Sequence, residues 1–413
     1  MSDTTGQDQQ QNMRRVALTS LAGTSIEWYD FFLYATAAAV IFPIAFFPQE
    51  DPTTALLISF SSLAVGFLAR PLGGIVFGHF GDRIGRKRTL VVALMMMGVT
   101  TTLIGFLPTY ASIGVAAPIL LVLLRFVQGL AIGGQWGGAM LLVTESAPAD
   151  QRGWYGAYAQ AGAPLGVVLA NLAFIGVSSS MSDEAFMDWG WRLPFIASIV
   201  LIGISMYIQL KIEDTEAFRS LSDAQAATDK PAETVKRSPV IEAIRKYPKR
   251  IMLAAGAFLS VQVTFYILIA FVISYGMQSP DLMLSKDLML TAVLVAAAIM
   301  VPTQFYFSGL SDKIGRKNVY RWGAILTGAW GFALFPLIDT GNPLFICLAI
   351  TMGLLFLGMQ YGPQAAYFTE LFSTEVRYSG ASLGYQLGAI IGGALAPTIA
   401  VLLWDSFGIF YVS

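Results

Sequence analysis

The sequence predicts an all-α polytopic membrane protein built from two similar halves, and three observations carry that prediction. Of 413 residues, 55% are hydrophobic and only 12% are charged, about half the charge of a soluble domain. The apolar residues fall into runs of roughly 20, the length a helix needs to cross the hydrocarbon core. Two motifs also recur at about half the chain length. Positions 82–87 read Asp-Arg-Ile-Gly-Arg-Lys, and positions 312–317, 230 residues on, read Asp-Lys-Ile-Gly-Arg-Lys. Thr144-Glu145 is followed by Asp150 and Arg152; Thr369-Glu370 is followed by Glu375 and Arg377, 225 positions later. Two independent motifs repeating together mean two related halves.

Run length places eleven spans, at 17–47, 54–80, 89–107, 113–143, 153–178, 192–210, 251–277, 288–310, 319–338, 343–368 and 380–404. Six precede the 211–250 segment and five follow it. A half-repeat requires six plus six, and residues 406–413 read as the opening of a twelfth span that is largely missing from this chain. The expected domains are a cytoplasmic tail at 1–15, a first bundle at 16–210, a linker at 211–250 and a second bundle at 251–413. The Gln-rich tail precedes an apolar segment too long for a signal-peptide core, so span one is expected to remain as an anchor. Orientation follows from charge. Of the 25 Lys and Arg, 21 lie in the tail, the linker and the loops after spans two, four, eight and ten. That side is expected to be cytoplasmic, together with the N-terminus, in the cytoplasmic (inner) cell membrane. The linker carries Pro231, Pro239 and Pro248 and is too short to be a catalytic domain.

Composition excludes several functions. His79 and Cys347 are each the sole residue of their type, so no disulfide, metal cluster or nucleophile–base pair is expected, and the chain reads as neither enzyme nor metalloprotein. The basic residues sit in short loops without an aromatic-interleaved face, which argues against nucleic acid. No cofactor is indicated, and no soluble output domain for a sensor.

In each repeated loop an acid precedes several bases, with Gly85 or Gly315 available for a tight turn. One reading is orientation charge alone. The sharper one is a conformational latch in which Asp82, Arg83 and Arg86 pair with Glu145 and Arg152, and Asp312 and Arg316 with Glu370 and Arg377, in one state only.

These loops and the paired Glu-x6-Arg runs at 145/152 and 370/377 resemble the signatures of the major facilitator superfamily; the second loop departs in having Ser308 where the first has Gly78. Further runs narrow the likeness: Ile26-Glu-Trp-Tyr-Asp30, Arg70-Pro-Leu-Gly-Gly74, Arg125-Phe-Val-Gln-Gly129 and Trp189-Gly-Trp-Arg-Leu-Pro194. Together they resemble the metabolite:proton symporters, the branch of shikimate, oxoglutarate, citrate and osmolyte permeases. The resemblance covers Arg14 to Trp404, and its motifs specify family, not substrate. It implies the major facilitator fold of two pseudo-symmetric six-helix bundles and a monomer. It also implies secondary active transport in which the proton gradient supplies the energy and protons, a small organic anion and the lipid bilayer are the partners.

Four ionisable residues fall well inside spans: Glu27 and Asp30 in span one, Arg70 in span two and Arg125 in span four. Each costs about 2.5–3.5 kcal/mol on insertion scales, so such residues pair or line a wet cavity. Glu27 and Asp30 share a helix face with Tyr34 one turn on. Arg125, Gln128, Ile132 and Gln135 give span four one polar stripe. The expectation is that Asp30, with Glu27, couples protons and that Arg125 is its partner, a division of roles the resemblance implies. A substrate carboxylate that captured Arg125 would then release Asp30 to bind a proton. The alternatives are a static buried pair and, for Arg70, a side chain reaching to the loop. Relatives read Gly-Gly-Glu followed by Trp or Tyr where this chain has Gly133-Gly134-Gln135-Trp136, so coupling is weakened, altered or rests on Glu27 and Asp30.

The second half has no charge in any span core. Its candidates for substrate contact are Gln262, Tyr266, Gln304, Gln360, Tyr361 and Gln364, beside Arg125, Gln128, Gln135, Trp136 and Tyr34 of the first. Gly380, Gly384, Gly388 and Gly392 recur every four residues, with Gly153, Gly156, Gly162 and Gly166 as their counterpart. The leading expectation is proton-coupled import of a small organic acid. The alternatives are a zwitterionic osmolyte symporter of proline/betaine type, or a uniporter uncoupled by Gln135.

Overall fold

A computed structural model describes residues 2–84, 86–135, 143, 147–148, 150–213, 244–372 and 377–413. Its long helices are α1 (Ser2–Val40), α2 (Pro52–Ile84), α3 (Arg86–Phe106), α4 (Ala116–Gln135), α5 (Arg152–Ser178) and α6 (Arg192–Glu213) in the first half. In the second half α7 begins as Pro248–Tyr266 and passes through a π-helical turn, Ile267–Phe271, into Val272–Gln278. Then come α8 (Lys286–Ile314), α9 (Arg316–Ile338) and α10 (Pro343–Glu370). The last, α11, runs as Arg377–Gly388, a second π-helical stretch Ala389–Ala394, and Leu395–Phe407. No strand occurs among the described residues.

Local signals account for several ends. Pro248 and Pro343 open their helices at positions where no N–H is needed. Asn342 and Ser285 cap the backbone N–H groups of Leu344 and Leu288. Gly315 separates α8 from α9 at φ 91°, a conformation other residues rarely adopt.

Among the described residues eight helices are long and apolar enough to cross a bilayer, or nine if the segment Asp183–Gly190 and Arg192–Ile204, bent by 52°, is one span. Eleven spans were expected from run length. The difference lies in α1, where Glu27, Trp28, Tyr29 and Asp30 stand together, and in α3, whose described apolar part is Val91–Phe106.

Helix neighbours reveal the internal repeat. In the first half α1 meets α5, α2 meets α4, and α3 meets α4; in the second α7 meets α11, α8 meets α10, and α9 meets α10. Adding six to each index of the first set yields the second. Across the halves α5 lies on α8 and α2 on α11, pairs related by the same operation. The glycine stripes sit at these crossings. Gly162 and Gly166 face Thr24 and Trp28 of α1, and Gly384, Gly388 and Gly392 face α7 so closely that a Cβ at any of them would collide. Small residues of this kind let membrane helices approach backbone to backbone.

Candidate functional site

The interface between the halves is built around two buried arginines. Arg125 of α4 is wholly buried. Its guanidinium carbon lies 4.4 Å from the ring centre of Phe31 and 4.1 Å from that of Tyr34, both on α1. Nη1 donates to Oε1 of Gln128 one turn on, while Nε and Nη2 have no hydrogen-bond partner. Room for this head comes from Gly66 of α2, where a Cβ would lie 2.6 Å from Nε. Arg70 of α2 is 2% exposed and stands 4.6 Å from the same Phe31 ring and 4.4 Å from Phe67. It too has Nε and Nη2 unpartnered. It therefore turns into the protein and does not reach for the loop. Tyr266 and Tyr361 of the second half, with Tyr385, approach it from across the interface, and Tyr266 also approaches Arg125.

Ring faces offset part of the desolvation of a guanidinium, by about 2 kcal/mol when water is excluded. They leave its in-plane N–H groups unserved, at about 1–3 kcal/mol for each buried group. A set of donors held in this way is complementary to an anion.

The acids stand elsewhere. Asp30 is fully buried and faces the hydroxyls of Thr101 on α3 and Ser198 on α6, yet neither of its oxygens accepts a hydrogen bond. The expected pair of Asp30 with Arg125 is not formed. The reason is helical geometry: Phe31, turned about 100° from Asp30, takes the place against both guanidinia. What links the two instead is a row of polar groups. Gln128, having accepted from Arg125, donates Nε2 to the Thr101 hydroxyl at 2.8 Å, and Thr101 faces Asp30. Glu27 lies one turn before Asp30 on α1 and is partly buried. Tyr34 shares a 2.7 Å hydrogen bond with Ser62 of α2.

Of the second-half candidates, Gln262 Nε2, both amide atoms of Gln304 and both of Gln364 are buried without partners. Gln360 turns toward α9, donating to Thr327 at 2.9 Å. The side chains of Gln135 and Trp136 lie outside the described residues. Gln160 of α5 was not singled out by sequence; it crosses the interface to donate to the Tyr361 carbonyl at 3.1 Å. Phe31, Thr101 and Ser198 were also missed, because an apolar ring or a lone hydroxyl in an apolar helix carries no signal of its own.

Hydrogen bonds join the halves at both ends. At the end with the basic loops, Asp312 of α8 accepts from the backbone N–H groups of Gly153 and Trp154, both at 2.9 Å. These belong to the first turn of α5, where helix N–H groups lack intrahelical partners. Arg316 pairs with Asp312 and reaches Glu370 at 3.3 Å. The expected latch of Asp312 with Glu370 thus runs through Arg316, and the contact that joins the halves is to backbone. Arg152 opens α5 beside it. The side chains of Asp82, Arg83, Arg86, Glu145 and Arg377 lie outside the described residues. At the opposite end Lys286 meets Asp183 at 2.9 Å, Asp287 accepts from Ser178 at 3.2 Å, and Ser274 donates to the Ala39 carbonyl at 3.2 Å.

Two helical halves related by a repeat, joined by hydrogen bonds at both ends around buried charges with unserved donors, have the architecture of a membrane transporter. The chain belongs to the Major Facilitator Superfamily, whose family model matches residues 20–397. It is 41% identical over 403 residues to the inner membrane metabolite transport protein YhjE of Escherichia coli, covering 96% of this chain and 89% of that one. It is 39% identical over 409 residues to the shikimate transporter of the same organism, covering 97% and 91%. The proline/betaine transporter of Salmonella typhimurium is 32% identical over 397 residues, 95% of this chain and 78% of that one. Among solved structures, an inward open conformation of the xylose transporter XylE from E. coli has a TM-score of 0.72 at 16% identity, covering 97% and 93%. At that identity the likeness is one of fold.

Proposed function

We propose that this protein imports a small organic acid together with a proton across the inner membrane, by alternating access between its two halves. The observation that carries the reading is Arg125: a guanidinium wholly buried, held by rings and one amide, with Nε and Nη2 open. An acid's carboxylate supplies two acceptors in the plane those groups need. Arg70 adds positive field, and Gln128, Tyr34, Tyr266, Tyr361 and the amides of Gln262, Gln304 and Gln364 contribute neutral contacts to the acid's body. Asp30 is the proton-coupling carboxylate, with Glu27 in support, because a buried carboxyl without a donor has every reason to exchange a proton. Asp312, Arg316 and Glu370 form the latch, and the N-terminus lies in the cytoplasm on the charge asymmetry.

A second reading, a zwitterionic osmolyte, is supported by the proline/betaine relative and by the rings of Phe31, Phe67 and Tyr266 around the arginines, since aromatic faces also hold quaternary ammonium groups. Uptake into proteoliposomes under an inward proton gradient separates the two. Labelled shikimate, oxoglutarate, citrate, benzoate and proline are screened, with Asp30→Asn and Gln135→Glu beside the parent. One pH unit is expected to drive about tenfold accumulation of a singly charged acid at one proton each, lost in Asp30→Asn. Accumulation of proline alone would replace the acid by the osmolyte. Equilibration without accumulation, restored by Gln135→Glu, would move the coupling acid to position 135.

A further inference from the structure

The separation of Asp30 from Arg125 leaves the coupling of proton to substrate without a direct contact. We infer that Thr101 is the positioning residue that carries it, passing the state of Arg125 to Asp30 through Gln128. The inference rests on the proposed symport and goes beyond it in naming the route.

Each atom of the row has one task. Arg125 Nη1 donates to Gln128 Oε1, which fixes the orientation of that amide and sends Nε2 to the Thr101 oxygen at 2.8 Å. The Thr101 hydroxyl hydrogen is spent on the Met97 carbonyl at 2.9 Å, four residues back in α3. With its hydrogen spent on Met97, Thr101 donates nothing to the carboxylate it faces, whose oxygens have no hydrogen-bond partner; with one lone pair taken by Gln128, it keeps a second that a protonated Asp30 can use. The hydroxyl hydrogens of the other groups around Asp30 are also committed: Ser198 donates to the Pro194 carbonyl at 3.4 Å and Tyr29 to the same carbonyl at 2.9 Å.

A substrate carboxylate takes the open Nε and Nη2 groups of Arg125 and neutralises the guanidinium. Nη1 then polarises the Gln128 amide less, Nε2 draws less on Thr101, and the Thr101 oxygen becomes a better acceptor through its second lone pair. A proton arriving from the side of entry bonds to one Asp30 oxygen, and the resulting hydroxyl donates to Thr101. Departure of the substrate restores the charge of Arg125 and with it the polarisation of Gln128 and Thr101, Thr101 again accepts poorly, and the proton leaves to water on the other side. The charge added by the anion and the charge added by the proton cancel in each cycle. Arg125 is therefore a sensor as well as an anchor, and the hydroxyl between it and Asp30 decides whether the two bindings are linked.

The test is Thr101→Val, which keeps the shape and removes the hydroxyl, with Thr101→Ser as the restoring variant. Each is reconstituted beside the wild-type chain and assayed twice with the same five labelled compounds: gradient-driven accumulation, and counterflow exchange at equal pH. The expected result is accumulation abolished in Thr101→Val while exchange persists, with accumulation regained in Thr101→Ser. Wild-type accumulation in Thr101→Val overturns the inference. So does loss of exchange together with accumulation in Thr101→Val, which would mean the hydroxyl only holds the helices together. If the wild-type chain itself accumulates none of the five, the symport reading fails first and the inference falls with it.

Discussion

Removing the Asp312 carboxylate should unlock one end of the protein. In the closed arrangement it accepts from two N–H groups of α5 that have no other partner, at 2.9 Å each, and pairs with Arg316. Its side chain is 7% exposed and that of Arg316 10%. A hydrogen bond to a charged group contributes about 1.5–3 kcal/mol where water is excluded, and about 1 kcal/mol net in ordinary settings. When the halves part, the two N–H groups reach water and the bonds are replaced. The differential between closed and open is therefore about 2 kcal/mol, from two bonds at the lower value. That energy is a factor of about 30 in the ratio of the two states. Asp312→Ala is expected to shift the protein by that factor toward the state open at this end. The assay replaces Cys347, the sole cysteine, by Ser and introduces Ser308→Cys, a buried position whose backbone faces Gly153 of α5. Alkylation by a water-soluble maleimide should accelerate by about 10- to 30-fold with Asp312→Ala. An unchanged rate would show that the carboxylate caps α5 without holding the halves together.

Three further outcomes follow from contacts already described. Gly66→Ala places a methyl against Arg125 Nε and should weaken acid binding by about tenfold or more in a counterflow assay, with thermal stability little altered. Gly133→Ala drives a Cβ into the Arg70 carbonyl, a backbone atom that cannot rotate away, so it should cost about 1–3 kcal/mol, read as a lower melting temperature in detergent. Asp183→Asn removes a partner that is 87% exposed and should change stability by less than about 1 kcal/mol, with transport retained.

Much of this arrangement is legible in the sequence because it follows from run length and sign. Apolar runs of membrane length cannot fold otherwise, and a loop motif that returns 230 residues later reports a duplicated unit. Arg70 and Arg125 are visible for the same reason: an ionisable residue in an apolar run must be turned inward. Azimuth is the missing quantity. The spacing of Glu27, Asp30 and Tyr34 puts them on one face of a helix but does not say what that face meets. The assignment of Asp30 to Arg125 rests on the resemblance, which names roles and not contacts. Phe31 takes the place against both guanidinia, and a phenylalanine in an apolar run predicts nothing. The partners of Asp312 were hidden for another reason. They are backbone N–H groups at the start of α5, which any sequence supplies and none advertises.

Among the described residues the two ends are held by different contacts, and that difference bears on direction. The basic-loop end is held by a partly buried carboxylate on two backbone donors and an arginine. At the opposite end Lys286 pairs with a largely exposed Asp183, a pair worth little in water, and lies 4.0 Å from the Phe186 ring, beside three hydroxyl hydrogen bonds at 3.2–3.3 Å. With no substrate bound, thermal opening should begin where the bonds are weakest. On the proposed orientation that end faces the outside, the side from which an importer takes its cargo. Substrate arriving there can add interactions only after the weak end has opened. The energy it releases on binding between Arg125 and the second half must then compensate for parting Asp312 from α5. On the proposed function, a cargo that leaves the Arg125 donors unserved lacks that energy and should not be carried, so the proposed latch would also filter for the anion.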